Sequence, residues 1–478
     1  MSLKQKAITG VVWSAIENLS VKGVQFVLGI ILARILMPKD YGLIGMIMVF
    51  MAISATFIDS GFSKALIQKK DRDEKDFSTV FYFNIVIAVF IYLILFLCAP
   101  FIANFYHQQV LVSIVRVFGL VIIINSFAVV QRSKFSINID FKSQTKASLL
   151  SILISGIFGV YLAYFGYGVW ALIVQALINA SLNVGMLWYL SKWIPRDGFH
   201  YNRFKSLFSF GSKLLLSRLI HTIYQNIYLI VIGRLFSVAE LGYYTRAKQL
   251  NDFPSINITS ILQRVTFPLL SGIQDANIRL KENYRLIIKL SAFVVFPTMM
   301  GLAALAKPII VLILSEKWLN SVWILQLLCF AGMWYPINTL NLSVLNVKGR
   351  SDLFLRLEII KKAIVTIVLI VSIPFGIKAM IVGQIFTAIV SVVINTYYTN
   401  VIISYNLIQQ LSDIIGVLLV SLIMGMIIYF TIGFIENNLL QLLVGFVEGF
   451  GFYIGLTWYA NIGEIRLLPS LFKIIKNK

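Results

Sequence analysis

Long apolar windows, each cut off by charged or turn-forming residues, set the rhythm of this chain. They fall near 10–36, 41–67, 78–104, 109–131, 146–166, 168–190, 206–236, 241–270, 284–314, 320–346, 353–373, 377–402, 411–434 and 438–461. Windows of this length match a membrane-crossing helix, which needs ~20 mostly apolar residues. The alternating segments of about ten residues that build an outer-membrane barrel are missing from the pattern. The windows therefore predict an all-α polytopic membrane protein with about fourteen transmembrane helices.

The windows are not equally apolar. In the first, Ser14, Asn18, Lys22, Gln25 and Gly29 recur at steps of four, four, three and four, with Glu17 beside them. That spacing draws one stripe along a helix. Arg218, His221, Gln225 and Tyr228 do the same in the seventh window. Tyr244, Lys248, Asp252, Ser255 and Thr259 do so in the eighth, next to Asn251. The second contributes Ser54, Asp59 and Ser60, whereas the third, fifth, twelfth, thirteenth and fourteenth are plainer. Ionisable groups at bilayer depth are costly and mark either a water-filled cavity or a partner across a helix contact. For Glu17, Asp252 and His221 both readings stand. Arg34 and Arg234, just before short turns, read as interfacial anchors.

Composition agrees: 59% of the 478 residues are hydrophobic and 13% charged, with mean hydropathy +0.86, against about 25% charged in soluble domains. Lys and Arg gather in alternate loops, at 69–75, 132–146, 192–205, 279–285 and 348–350 and at both ends. By the positive-inside rule both termini are cytoplasmic. The formal charge of +21 is then a topology signal that also attracts anionic lipid, and it does not imply nucleic acid. The first window reads as a retained span rather than a cleaved leader, because Glu17, Asn18 and Lys22 interrupt it. Cys98 and Cys329 sit singly in apolar runs, and three His without a Cys or carboxylate cluster make a metal site unexpected.

Two polar echoes point to duplication. "ILARILMPKDYGLIG" at 31–45 and "VIGRLFSVAELGYYT" at 231–245 pair Arg34 with Arg234, Asp40 with Glu240 and Gly42 with Gly242. "FGYGVWALIVQ" at 165–175 answers "FGIKAMIVGQ" at 375–384. A repeat of six helices keeps the same orientation in both copies, as in parallel-repeat transporters. The expected plan is an amino-terminal lobe at 1–190, a cytoplasmic linker at 191–205 lying partly along the membrane surface, a second lobe at 206–402, and two further helices with a basic tail at 403–478.

The stretch "GVVWSAIENLSVKGVQFVLGIILARILMPKDYGLIGM", followed by "FIDSGFSKALIQKKDRDEKDFSTVFYFNI", resembles the polysaccharide transporter branch of the MOP flippase superfamily. More narrowly, it resembles the Wzx-type O-antigen, colanic-acid and teichuronic-acid exporters, and the resemblance runs along nearly the whole chain. It implies a V-shaped, two-lobed carrier that moves undecaprenyl-diphosphate-linked oligosaccharide across the bacterial inner membrane by alternating access, with a cavity lined mainly by the first, second, seventh and eighth helices.

On that reading Lys22, Arg218 and Lys248 would meet the diphosphate. Asn18, Gln25, His221, Gln225 and Asn251 would offer polar contacts, and Glu17, Asp59 and Asp252 would leave proton or sodium coupling open. No cofactor is required. Membrane lipids and polysaccharide polymerase machinery are the expected partners. A cation-coupled multidrug antiporter of the same superfamily would want acidic rather than basic stripes. A membrane polymerase or ligase would want a sizeable outer loop bearing catalytic groups. A non-transporting scaffold is opposed only by the stripes.

Overall fold

The computed structural model describes residues 20–58, 62–69 and 71–460. Glu17, Asn18 and Asp59, named above for polar contacts and ion coupling, lie outside the described residues. Helix occupies each of the fourteen predicted windows, and no strand is present among the described residues. Eight described segments are long and apolar enough to cross a membrane, or nine if one bent pair is a single crossing. The count of fourteen remains an inference from hydropathy. Two physical reasons account for most segments that fall short: polar stripes dilute the seventh and eighth windows, and the fourth and tenth are broken into shorter helices.

The chain forms two compact units, Met1–Gly242 and Tyr243–Lys478. In the first, α1 covers residues 20–35, followed by α2 (Pro38–Ile58), α3 (Phe62–Gln68) and α4 (Glu74–Phe105). The fourth window holds α5 (Leu111–Phe118), α6 (Leu120–Ser126) and α7 (Val129–Ile137), with a 40° bend before α7. Then come α8 (Phe141–Tyr164), α9 (Val169–Ser191) and α10 (Tyr201–Leu235). α8 and α9 pack as a hairpin, while α10 packs on α2, α3 and α4. Gly233 lets α10 in closely: a Cβ there would meet Tyr106 at 3.0 Å and Met46 at 3.2 Å. Packing thus divides the chain after α10, whereas the expected lobe boundary at 191–205 rests on the duplication and stays an inference from it.

The 192–200 segment is fastened to the start of α4. Trp193 is buried among Phe62, Phe77 and Phe81, and its indole N–H donates to Glu74 at 2.7 Å. The amides of Asp197 and His200 donate to Ser78 (3.3 Å) and Thr79 (3.1 Å). These bonds hold the linker against the start of α4. Beneath it, Asp73 caps α4 in a reciprocal box with Asp76. Asp76 is fully buried and accepts both bonds from the Lys69 ammonium at 2.7–2.8 Å. Arg203 bonds Asp73 at 2.8 Å.

Desolvation pushes the Asp73 carboxyl up. The hydrogen bonds from Asp76 and the charges of Arg203 and Lys69 outweigh it and hold the group below the ordinary carboxylate range. A depressed folded pKa gives stability that is present above the unfolded value of about 3.9 and lost as pH falls through the folded one. Asp73→Asn should therefore flatten the acid limb of the thermal-unfolding midpoint below about pH 4. A scan of purified protein against pH checks this, and an unchanged acid limb would contradict it.

α11 (Val238–Ser271) leads into the second unit, which continues with α12 (Asn277–Ala304), α13 (Ala306–Leu314), α14 (Ser321–Gly332), α15 (Tyr335–Val347), α16 (Ser351–Ser372), α17 (Gly376–Ile403), α18 (Leu407–Gly433) and α19 (Asn438–Tyr459). A buried amide pair ties its helices together. Asn341 on α15 and Gln410 on α18 exchange bonds of 3.0 and 3.1 Å, and Tyr284 and Thr399 donate to the same Asn341 oxygen at 2.9 and 2.8 Å. Such groups are tolerated in an apolar interior because they satisfy one another. Arg285 clamps Asp413 with two bonds of 2.7 Å, and Tyr405 adds a third to that carboxylate. α18, which stands outside the repeat, is thereby locked to α12.

Candidate functional site

The two echoing turns explain themselves first. Pro38 opens α2, and the Asp40 carboxylate reaches back to accept the Met37 amide at 2.9 Å. In the second copy Glu240 accepts both the amide and the hydroxyl of Ser237 at 2.9 and 2.8 Å, and the hydroxyl receives the Glu240 amide. The shared acid three residues into each helix is thus a capping residue. The paired glycines touch reciprocally: a Cβ on Gly42 would lie 1.9 Å from the Val238 oxygen, and one on Gly242 1.9 Å from the Pro38 oxygen. Only hydrogen fits at either place. Arg234 bonds His107 and lies over the Phe105 ring at 5.2 Å, as an anchor would.

Deeper in the first unit, α2 and α10 enclose the strongest candidate. Ala55, Thr56, Arg218, His221 and Thr222 line a pocket of about 370 Å³, and the Thr56 and Thr222 hydroxyls bond across it at 3.1 Å. By 1.5 Å rise per residue His221 stands roughly 21 Å from the C-terminal end of α10. His221 and Gln225 are exposed and Arg218 is half-buried. A polar face exposed at that depth belongs beside water rather than acyl chains. Two α10 stripe residues, Arg218 and His221, thus meet the α2 wall. Lys22 and Gln25 are exposed on α1.

The predicted residues of α11 form a separate cluster in the second unit. Lys248 and Asp252 pair at 2.5 Å, and the Asn251 amide donates to the other Asp252 oxygen at 3.0 Å. Asn251 is itself buried, with a Cβ at Gly332 of α14 only 2.5 Å from its oxygen. The lysine and the aspartate, expected in separate roles, are one ion pair here.

The sequence reading passed over Glu358, Lys361 and Lys362 on α16. Glu358 bonds the two lysines at 2.5 and 3.4 Å, and all three side chains are 13–18% exposed. Their signal was available: three charges seven to eleven residues inside a span and on adjoining helix positions.

Among the described residues, helices of membrane-crossing length and a pocket joining Arg218 and His221 to two threonine hydroxyls define the class as a polytopic membrane protein. The chain matches the model of a family described as "Polysaccharide biosynthesis protein" over residues 31–323, and it belongs to that family. It is 30% identical to the teichuronic acid biosynthesis protein TuaB of Bacillus subtilis over 74% of this chain and 73% of that protein. It is 24% identical to the lipopolysaccharide biosynthesis protein WzxC of Escherichia coli over 76% and 74%. Among solved structures, the lipid II flippase MurJ in an inward closed conformation superposes with TM-score 0.78 at 15% identity, covering 95% of this chain and 99% of that one. An inward-facing multidrug MATE transporter of the MOP superfamily gives 0.64 at 14%, covering 83% and 98%. The fold is the one these two transporters share.

Proposed function

We propose that this protein is a flippase for a polyprenyl-diphosphate-linked oligosaccharide, working by alternating access in the bacterial inner membrane with both termini cytoplasmic. The observation that carries the reading is the pocket on α2 and α10, where Arg218 and His221 meet the Thr56 and Thr222 hydroxyls. Arg offers a planar fork to phosphate oxygens, and hydroxyls and amides suit sugar edges. The names of TuaB and WzxC, proteins of teichuronic acid and lipopolysaccharide biosynthesis, support a saccharide cargo; its undecaprenyl carrier and its hand-over to polymerase machinery are implied by the family resemblance alone. The multidrug-antiporter reading is weaker because the matching family is described by polysaccharide biosynthesis.

Moving two negative charges outward is favoured by roughly 4–5 kcal/mol per 100 mV, so the potential alone can drive export.

The test is flipping of a defined lipid-linked oligosaccharide by purified protein in vesicles, with and without an imposed potential. Arg218→Ala should slow flipping roughly 10–100-fold, the worth of a charge-assisted bond of ~1.5–3 kcal/mol, while insertion is unchanged. Wild-type rates in that variant would remove Arg218 from the site, and absence of flipping with retained drug efflux would overturn the reading.

A further inference from the structure

A second cavity in the first unit adjoins the Arg218–His221 pocket. It measures about 440 Å³, and Ala55 of α2 lines both. Most of its wall is apolar, with Met51 and Ile58 from α2, Phe118 from α5, and Val121 and Ile122 from α6. Its polar residues are Ser63, Asn125 and Arg132, of which the last two bond each other at 3.2 Å. The cavity lies where the fourth window breaks: α5 ends at Gly119, and the chain bends by 40° between α6 and α7.

The two cavities are ordered along the helices. The turn that opens α2 touches the turn after α10 at Gly42 and Gly242, and Tyr106, just before α5, lies against Gly233 of α10. Those three helix ends therefore share one side. Ala55 is seventeen residues into α2, and Arg218 is seventeen from the end of α10. At 1.5 Å per residue both stand roughly 25 Å from that side. Met51, Ile122 and Phe118 stand nearer to it, at roughly 20, 17 and 10 Å. Ser63 and Arg132 come later, beyond the ends of α2 and α6. Polar groups thus gather at one end, and the apolar wall runs from there toward the middle of a core ~30 Å thick. A ligand that fits both cavities joins a polar head to an apolar chain aimed at the midplane. On the topology proposed above, that is the direction of a lipid in the cytoplasmic leaflet.

We propose that this cavity seats the first isoprene units of the lipid whose diphosphate occupies the Arg218–His221 pocket. The inference rests on the flippase reading and adds the place of the chain. Ala55 is exposed, and its single methyl group leaves a passage between the two spaces. Cavities of ~300–1,000 Å³ hold small organic ligands, so a few units enter while the rest of a polyprenyl chain stays in the bilayer. Lipid tails are as apolar as this wall, so the seat works by packing. It holds the chain in line with its head.

The test uses full-length protein in neutral detergent and native mass spectrometry, with farnesyl diphosphate and inorganic diphosphate as probes. Val121→Trp fills the apolar wall. It should lower retention of farnesyl diphosphate about fivefold or more, as overpacking does, and leave inorganic diphosphate unchanged. Arg218→Ala should weaken both probes alike. A farnesyl diphosphate carrying a diazirine on its last isoprene unit should label α2 or the α5–α6 segment. If Val121→Trp does not fold, Met51→Trp and the labelling decide. Equal retention of farnesyl diphosphate by wild type and the filled variant, or labelling confined to other helices, would overturn the chain seat while the flippase reading stands. Displacement of farnesyl diphosphate by phosphatidylglycerol at equal concentration would overturn the isoprenoid assignment. Inorganic diphosphate bound equally by wild type and Arg218→Ala would strike the flippase reading, and the chain seat with it.

Discussion

Gly42→Ala and Gly242→Ala should each abolish most polymer export, and to a similar degree. In either variant the new Cβ lies 1.9 Å from a backbone carbonyl oxygen, so the two turns must part by roughly 1.5 Å to reach ordinary contact. Backbone atoms cannot rotate away as a flexible side chain would. Overpacking of this kind costs about 1–3 kcal/mol, and ~2 kcal/mol disfavours the touching arrangement about 30-fold. A carrier that alternates between states loses turnover when one state is so depleted. A cysteine at position 225, on the α10 stripe, should become more reactive from outside toward a membrane-impermeant thiol reagent in both variants. Because the two glycines serve one seam, the double variant should add little to either single change. Normal export in both singles would show that the contact plays no part in the cycle.

Asp76→Asn should produce the largest loss of stability. The Asp76 carboxylate is fully buried and takes two bonds from Lys69, whose side chain is 19% exposed. It also receives the Asp73 amide at 3.1 Å and lies 3.9 Å from Arg203. An amide keeps the shape but removes the counter-charge that the ammonium bonds directly. Breaking a buried pair from one side costs about 3–5 kcal/mol, and the partial exposure of Lys69 favours the lower end. The linker should loosen with it, since Arg203 and Trp193 reach the same turn of α4. A lower thermal midpoint and faster hydrogen exchange over 192–206 would be the signature. Lys69→Met combined with Asp76→Leu should recover much of the loss, because an apolar pair removes the stranded charge. A single variant as stable as wild type would refute the network.

The helical class was legible in the sequence because helix-length apolar windows depend on local spacing. The Asp40–Glu240 echo was legible as duplication, although its capping role needed the bonds to Met37 and Ser237. The bend after Ser126 was not, since Phe127 and Ala128 carry no Pro or Gly to mark it. Nor was the seat of Trp193, which depends on aromatic partners more than a hundred residues away in the chain. The α11 stripe set Lys248 and Asp252 four residues apart, but their pairing was not read from it. Pairing depends on rotamers, which spacing alone does not fix.

The seam at Gly42 and Gly242 carries a history. Each turn presents a glycine to a carbonyl on the other, in the same relative position, so the contact is self-complementary in the manner of an isologous dimer interface. A half-length ancestor with one such turn could have met a second copy of itself through the same glycine. Fusion would then have converted an association that depends on concentration into a permanent neighbour, freeing the two turns to diverge into Pro-Lys-Asp and Val-Ala-Glu.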